Sequence, residues 1–245
     1  MKGRLGGLLA GLWLATAAHA GGPSGARPQE IHQRLDTRDS AHAQDIALTL
    51  DACGGAIDPA LIDTLVRLRI PATLFVTRRW LARHPQALRD LQAHGPLFEI
   101  QNHGAEHVPA VIGQRLYGMA GAADAAAVAR EVSGGAQAIV AAGGRAPTWF
   151  RGAGAAYDAA GQQAIAAQGH RIAGFSLNAD DGATLGAAGV AARLRRAKPG
   201  DIVIAHMNHP TSGTARGFAA ALPELQQRGL RFVTLSQAAG VLPGP

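Results

Sequence analysis

Residues 97–107 read Leu-Phe-Glu-Ile-Gln-Asn-His-Gly-Ala-Glu-His, a short apolar run followed by two histidines. The apolar run is typical of a buried strand, so His103 and His107 follow its C-terminal end, where α/β folds place their chemistry. Residues four apart can share one side of a helical turn. Because imidazole is a common ligand of zinc-like ions, the pair predicts half of a metal site. Two surface histidines on a loop are the alternative.

The same order of strand and helix recurs along the chain and predicts the fold. Short apolar runs occur at residues 46–50, 72–76, 97–100, 148–150, 172–177, 202–205 and 232–235. Helical segments separate them at residues 59–68, 81–93, 122–142, 159–168, 187–197 and 219–227, the third of which can be interrupted at Gly134-Gly135. This alternation favours parallel strands joined by crossover helices. We therefore predict an α/β fold, a distorted parallel (β/α) barrel of about seven strands, with an open doubly wound sheet as the alternative.

The first twenty residues have the order of a secretory signal peptide. Lys2 and Arg4 precede the apolar residues 8–14, and Ala18-His19-Ala20 supplies the small residues of a cleavage site. We predict a signal peptide at 1–20, a flexible lead-in at 21–43 and one catalytic domain at 44–245. The mature protein is expected to be secreted or periplasmic, without stable membrane insertion. An uncleaved N-terminal anchor is the alternative.

The charge of the chain is mildly basic and scattered. The sequence has 23 Lys and Arg against 17 Asp and Glu, a formal charge of +6 that falls by two when Lys2 and Arg4 leave with the signal peptide. The densest basic cluster, residues 193–198, lies at a predicted helix end, where cations complement exposed carbonyl groups. We therefore infer no nucleic-acid partner, and the sequence leaves the oligomeric state open.

Polar residues follow the apolar runs at the point where each predicted strand ends. They are Asp51, His103, His107, Arg151, Asp180, Asp181 and His206. In a parallel barrel these positions converge on one face, so the side chains would line one cleft. Each residue alone has a structural explanation, such as a turn or an ion pair. Their shared position at strand ends predicts a functional cleft.

This arrangement resembles the polysaccharide deacetylase family, also called carbohydrate esterase family 4, over about residues 45–236. The family's Thr-Phe-Asp-Asp-Gly motif is similar to Thr-Leu-Asp-Ala-Cys at 49–53, and its His-Ser/Thr-x-x-His motif to residues 103–107. The family's motif arginine is matched by Arg151, and its Leu-x-His motif by residues 204–206. For its later aspartate we choose Asp180 over the neighbouring acid.

The resemblance implies a hydrolase that removes N-acetyl groups from an acetylated cell-wall or extracellular polysaccharide. It implies a divalent metal ion as cofactor, for which we favour zinc, held by His103, His107 and Asp51. The implied catalytic residues are Asp51 as base, His206 as acid for the leaving amine, and Arg151 and Asp180 as the groups that orient them.

Two positions depart from the family pattern. Gly104 stands where the family has Ser or Thr, and Ala52 stands where the family has its metal-binding carboxylate. Either Asp51 binds metal and another group acts as base, or the histidines hold metal with help from water or Cys53. A thiolate favours zinc, but we favour Cys53 as a small buried residue at the strand end. An inactive carbohydrate-binding protein and an acetyl-xylan-type esterase are the alternative functions.

Overall fold

A computed structural model describes residues 27–244. The strands, numbered in chain order, are β1 (Gln29–Glu30), β2 (Gln33–Leu35), β3 (Asp45–Ala52), β4 (Ala72–Val76), β5 (Phe98–Asn102), β6 (Arg115–Leu116), β7 (Met119–Ala120), β8 (Trp149–Phe150), β9 (Ala156–Tyr157), β10 (Arg171–Ile172), β11 (Leu177–Asn178), β12 (Ile202–His206), β13 (Arg231–Val233) and β14 (Val241–Pro243). The α-helices are α1 (Pro59–Leu68), α2 (Arg78–Arg83), α3 (Ala87–Gln92), α4 (Ala125–Ala141), α5 (Ala159–Ala167), α6 (Ala187–Arg195) and α7 (Thr214–Gln227).

Eight strands of the described chain form one parallel sheet. Its order is β10-β8-β5-β4-β3-β12-β11, and β13 pairs with the first residues of β3. The register places His206 of β12 opposite Asp51 of β3. It also places Asn102 of β5 opposite Val76 and Phe150. The C-terminal ends of the central strands are therefore level with one another, which brings their last side chains to one edge.

Four residues, 173–176, join the two edge strands β10 and β11. In this gap the N–H of Phe175 donates to the carbonyl of Ile31, and the carbonyl of Phe175 accepts from the N–H of Gln33, both at 3.1 Å. Because β10 and β11 are the two edge strands of the sheet, the sheet curls so far that residues 173–176 connect one edge to the other. The predicted distorted (β/α) barrel is therefore confirmed. The single strand predicted at 172–177 is divided in two, which accounts for eight strands where we expected about seven.

Strand β3 forms the centre of the barrel wall, and all eight of its residues are buried. A parallel strand covered on both faces is expected to read as a continuous buried run, as this one does. The largest apolar cluster includes Leu50 and Ala52 of β3 together with Leu65, Phe218 and Leu222 from helices α1 and α7. This packing fixes the strand whose end carries Asp51.

Three of the predicted helical segments differ from the helices of the structure. Residues 81–93 fall into two helices, α2 and α3, because His84 precedes Pro85 and a residue before proline disfavours the helical conformation. In contrast, α4 continues through Gly134-Gly135 without interruption. Helix α7 starts at Thr214 rather than at residue 219.

The described part of the predicted lead-in, residues 27–43, contains strands β1 and β2. Strand β1 pairs with β9, and β2 pairs with β14, both antiparallel. Backbone hydrogen bonds order this segment although its sequence lacks apolar periodicity. The predicted signal peptide at 1–20 lies outside the described residues. No helix within 27–244 has the length and apolar character needed to cross a bilayer.

Candidate functional site

The C-terminal ends of the barrel strands surround a cavity of about 410 Å³. The polar side chains that line its floor are Asp51, Cys53, His103, His107 and His206. Arg151 and Asp180 lie fully buried behind them, in contact with Asp51 and His206 respectively. The structure thus brings together all the residues assigned above to the metal site and to catalysis.

His103 and His107 lie on a loop, so they do not share the side of a helical turn that their spacing allows. Strand β5 ends at Asn102, and the backbone adopts left-handed conformations at Gly104 (φ 93°) and His107 (φ 65°). The two rings nevertheless meet, with centroids 4.9 Å apart. Left-handed residues reverse the chain sharply, which is how a short loop can turn both side chains towards the cavity.

Glu131 of α4 holds this loop from behind. Its carboxylate accepts the backbone N–H groups of Glu106 (2.9 Å) and Val108 (3.0 Å). A Cβ added at Gly104 would lie 2.4 Å from Glu131 Oε1. Both this close contact and the positive φ require glycine at 104, which explains the absence of the Ser or Thr of the family pattern.

Three potential metal donors meet in the cavity. Cys53 Sγ and a ring nitrogen from each of His103 and His107 lie within 4.8 Å of one another. His103 Nδ1 lies 2.7 Å from the carbonyl oxygen of Arg151 and donates to it, so Nε2, 3.4 Å from Cys53 Sγ, is the ring nitrogen that faces the other donors. Burial lowers the pKa of His103, but the charges of Asp51 and Cys53 raise it, so a metal ion at this site would displace the proton of Nε2. One thiolate and two imidazoles form a zinc ligand set of the catalytic kind, with a fourth position for water or substrate. The donor set therefore fits a divalent metal ion.

The surroundings of Cys53 favour its thiolate form. Burial raises the pKa of Cys53, but the charge and hydrogen bond of His103, with hydrogen bonds from His107 and His206, bring that pKa well below its ordinary value. The thiolate is the form of cysteine that binds metals. Cys53 is therefore chemically as well as geometrically suited to be a ligand.

Asp51 is the carboxylate of the cavity floor. Arg151 Nη1 donates to Asp51 Oδ1 (3.0 Å) and to Thr49 Oγ1 (2.8 Å). Burial alone raises the pKa of Asp51, but the guanidinium of Arg151 and two nearby imidazoles hold it below its ordinary value. Asp51 Oδ2 lies 3.8 Å from His103 Nε2. The cavity thus contains an ionised carboxylate beside the three donors.

His206 and Asp180 form a second pair beside Asp51, since β12 is the neighbour of β3 and His206 is the register partner of Asp51. His206 Nδ1 lies 3.0 Å from Asp180 Oδ1, and the N–H of His206 donates to Asp180 Oδ2 at 2.8 Å. Thr214 Oγ1 donates to the same oxygen at 3.0 Å. Burial lowers the pKa of His206, but the hydrogen bond and charge of Asp180 raise it well above its ordinary value. Asp181 is exposed and also lines the cavity, but its carboxylate lies 3.6 Å from Arg193 Nη1 and forms no ion pair with His206.

Sequence comparison decides the family. Residues 38–173, more than half of the chain, match the profile of polysaccharide deacetylases. The chain belongs to the polysaccharide deacetylase family. The matched region includes Asp51, both loop histidines and Arg151. No match to this chain was found among curated proteins.

Solved structures share the fold of this family member at low sequence identity. A CE4 family pseudoenzyme from Bacillus anthracis has a TM-score of 0.68 and 18% identity, covering 87% of this chain and 69% of its own. A peptidoglycan N-acetylglucosamine deacetylase has a TM-score of 0.69 and 19% identity, with coverages of 84% and 90%. A family 4 acetyl xylan esterase from Clostridium thermocellum, in complex with a cobalt ion, has a TM-score of 0.66 and 20% identity, with coverages of 79% and 89%. Enzymes and a pseudoenzyme share the fold, so activity has to be argued from the site.

The potential donor set contains a thiol, Cys53, and no side chain from position 52. Ala52 is fully buried in the largest apolar cluster and offers no ligand atom. Cys53, which we favoured as a small buried residue, is partly exposed and lines the cavity. The cue in the sequence is its position two residues after Asp51, because alternate residues of a strand share one face.

Two further residues at the mouth of the cavity were not predicted. Tyr117 lies between β6 and β7, and Glu30 belongs to β1; both line the cavity. Neither follows a predicted strand, and Glu30 lies in the segment expected to be flexible. A pattern of polar residues at strand ends therefore contains no signal for them.

Proposed function

We propose that this protein is a metal-dependent hydrolase that removes N-acetyl groups from a cell-wall or other extracellular polysaccharide. The observation that carries the proposal is the convergence in one cavity of a three-donor set, an ionised carboxylate and a histidine with a raised pKa. Amide hydrolysis needs an electrophilic centre, a base for water and an acid for the leaving amine, and these groups supply all three.

We assign the metal ligands to His103, His107 and Cys53. The soft thiolate together with two imidazoles favours zinc among the divalent ions. When bound, such an ion supplies Lewis-acid polarisation of an acetyl carbonyl and acidifies water. The sequence left open whether Asp51 is ligand, base or both, and the proposal assigns it as the base beside the three donors.

Asp51 accepts the proton of the attacking water in this mechanism. Arg151 occupies Oδ1, so Oδ2 is the oxygen available to the cavity. The buried guanidinium also keeps the carboxylate ionised at neutral pH, which a base requires. Arg151 is therefore a positioning residue that acts through Asp51.

His206 donates a proton to the leaving amine. Asp180 accepts a hydrogen bond from Nδ1 of His206, so Nε2 of the same ring carries the transferable proton. The raised pKa of His206 favours the protonated form of the ring, which a general acid requires. Cleavage of the carbon–nitrogen bond then yields acetate and a free amine on the sugar.

Acetate release by the purified protein tests this proposal. We expect acetate from N-acetylchito-oligosaccharides or peptidoglycan, its loss after treatment with a chelator, and its return when zinc is added. Asp51→Asn serves as the control for contaminating activity and is expected to be at least about a hundredfold slower. Absence of acetate with a zinc-loaded protein on every N-acetylated substrate would contradict the proposal.

The same assay separates two other functions. Ala52, where the family has a carboxylate, favours an inactive carbohydrate-binding protein, which would bind glycans and release no acetate. Release of acetate from acetyl-xylan alone would instead indicate an esterase, since that substrate carries O-acetyl groups.

We also propose that residues 1–20 direct export, so that the enzyme meets its polymer outside the cytoplasm. N-terminal sequencing of the secreted protein tests this, with Gly21 as the expected first residue.

A further inference from the structure

Tyr117 is the most exposed large apolar residue in the described part of the chain, and it stands at the mouth of the cavity. It is 68% exposed, compared with 51% for Val140 and 37% for Leu242, which do not line the cavity. A single exposed apolar residue needs no explanation by itself. The surroundings of Tyr117, however, hold it in a defined place.

The hairpin that carries Tyr117 is fastened to the barrel. Leu116 packs with Val111 and with Ala156 of β9 in a small apolar cluster. Within the hairpin, the guanidinium of Arg115 donates to the carbonyl of Gly118. Tyr117 itself has a φ of 48°. A bulky residue rarely adopts this left-handed conformation, and it persists where the neighbouring structure fixes it, often at binding sites.

Contacts at both ends of the side chain fix the ring. The hydroxyl of Tyr117 donates to Glu30 Oε1 at 2.8 Å. The ring edge packs on Gly154, where an added Cβ would lie 3.1 Å from Tyr117 Cδ2. Most of the ring surface nevertheless remains in contact with solvent. A fixed, solvent-exposed aromatic ring loses little entropy when it packs against a ligand.

The charges around the cavity restrict the ligand. Its lining within the described residues contains no lysine or arginine, whereas Glu30, Asp51 and Asp181 contribute carboxylates and three histidines contribute imidazoles. Glu30 places a carboxylate beside the aromatic ring, and its Oε2 lies 4.0 Å from His32 Nε2, beyond hydrogen-bond distance. A carboxylate accepts hydroxyl or ammonium protons and repels anionic groups.

We propose that Tyr117 and Glu30 form a sugar-binding subsite that takes a neighbouring hexosamine ring of the polysaccharide. The apolar face of the sugar would pack on Tyr117, and its hydroxyl or amino group would donate to Glu30. Glu30 lies before the residues that match the family profile, so this subsite is built partly from the N-terminal segment of this chain. The inference rests on the proposed function, because it assigns a neighbouring unit of the same substrate.

Binding and kinetics with a soluble N-acetylchito-oligosaccharide test the subsite. Binding is measured by calorimetry in the Asp51→Asn background, and KM and kcat are measured in the otherwise wild-type protein. We expect Tyr117→Ala to raise Kd and KM about threefold to tenfold, the change produced by loss of one aromatic contact, with kcat unchanged. Tyr117→Trp is expected to retain binding, and Glu30→Gln to weaken it. Val140→Ala is the matched control at an exposed apolar position outside the cavity.

The outcomes separate this subsite from the deacetylase activity. Oligosaccharide binding that is weakened by Tyr117→Ala, without acetate release by the zinc-loaded protein, would support the subsite and contradict the proposed function. Acetate release with the same KM and Kd in Tyr117→Ala as in the wild type would overturn the subsite alone. Failure of the oligosaccharide to bind at all would also overturn it.

Discussion

Arg151 and Asp51 form a buried ion pair, so removal of one partner leaves the charge of the other uncompensated. Arg151 is fully buried, and Asp51 is 3% exposed. Arg151→Met leaves the carboxylate buried without its cation, so we expect the free energy of unfolding to fall by about 3–5 kcal/mol. Urea denaturation measures this loss. Arg195→Met, which breaks a surface pair with Glu224, is the control and should change stability little. Equal effects of the two substitutions would contradict the buried role of Arg151.

Asp180 is expected to set the alkaline limit of activity through His206. The general acid works only while protonated, so activity falls as pH rises through the pKa of His206. Asp180 raises that pKa above its ordinary value of 6.5. Asp180→Asn removes the charge, so the descending limb of kcat/KM against pH should move to lower pH. Asp181→Asn is the matched control and should leave the limb in place; the reverse result would show that we chose the wrong acid.

Part of the candidate site was predictable from single polar residues that follow the predicted strands. Asp51, Arg151, Asp180 and His206 were found because parallel strands end at one edge, and the register holds those ends level. Cys53 was considered as a possible metal ligand, but we favoured a structural role, because sequence alone does not show whether a thiol after a strand faces the core or the cavity.

At the scale of elements, helix α4 packs closely against the loop that carries His103 and His107. This contact positions the proposed metal ligands. A Cβ at Gly135 would lie 2.1 Å from Asn102 Oδ1, whereas one at Gly134 would lie 3.1 Å from the Cβ of Ala105. Gly135→Ala should therefore push the loop away, lowering the free energy of unfolding by about 1–3 kcal/mol and weakening zinc binding. Gly134→Ala should be close to neutral, since it gains helix propensity. Thermal unfolding and zinc titration of both variants measure this, and similar results for both would argue against close packing here.

Helices and strands were predicted where their own residues show a periodic apolar pattern. They were missed where contacts with distant parts of the chain determine them. The spacing of His103 and His107 was informative, but their loop conformation depends on Gly104 and on Glu131, which is far away in sequence. Strand β1 was missed for the same reason, since its pairing with β9 is not encoded in its own residues.

At the scale of the whole molecule, the alternation of strands and helices predicted the barrel correctly. The way the barrel closes was not predictable, because Phe175 bonds to Ile31 and Gln33, which lie more than a hundred residues earlier in the chain. That closure brings the N-terminal segment beside the cavity and adds Glu30 to its wall. The barrel thus places the proposed ligands, base and acid and the proposed sugar contact around one cavity.

The absorption spectrum of the cobalt(II)-loaded protein tests most directly whether a thiolate replaces the missing carboxylate as metal ligand. A thiolate bound to cobalt gives intense near-ultraviolet charge-transfer absorption, which imidazole, carboxylate and water ligands do not give. We predict this absorption in the wild type and its loss in Cys53→Ser, in which His103 and His107 still bind cobalt and its visible bands persist. Cobalt bound by the wild type without charge-transfer absorption, or identical spectra for the two proteins, would contradict ligation by Cys53.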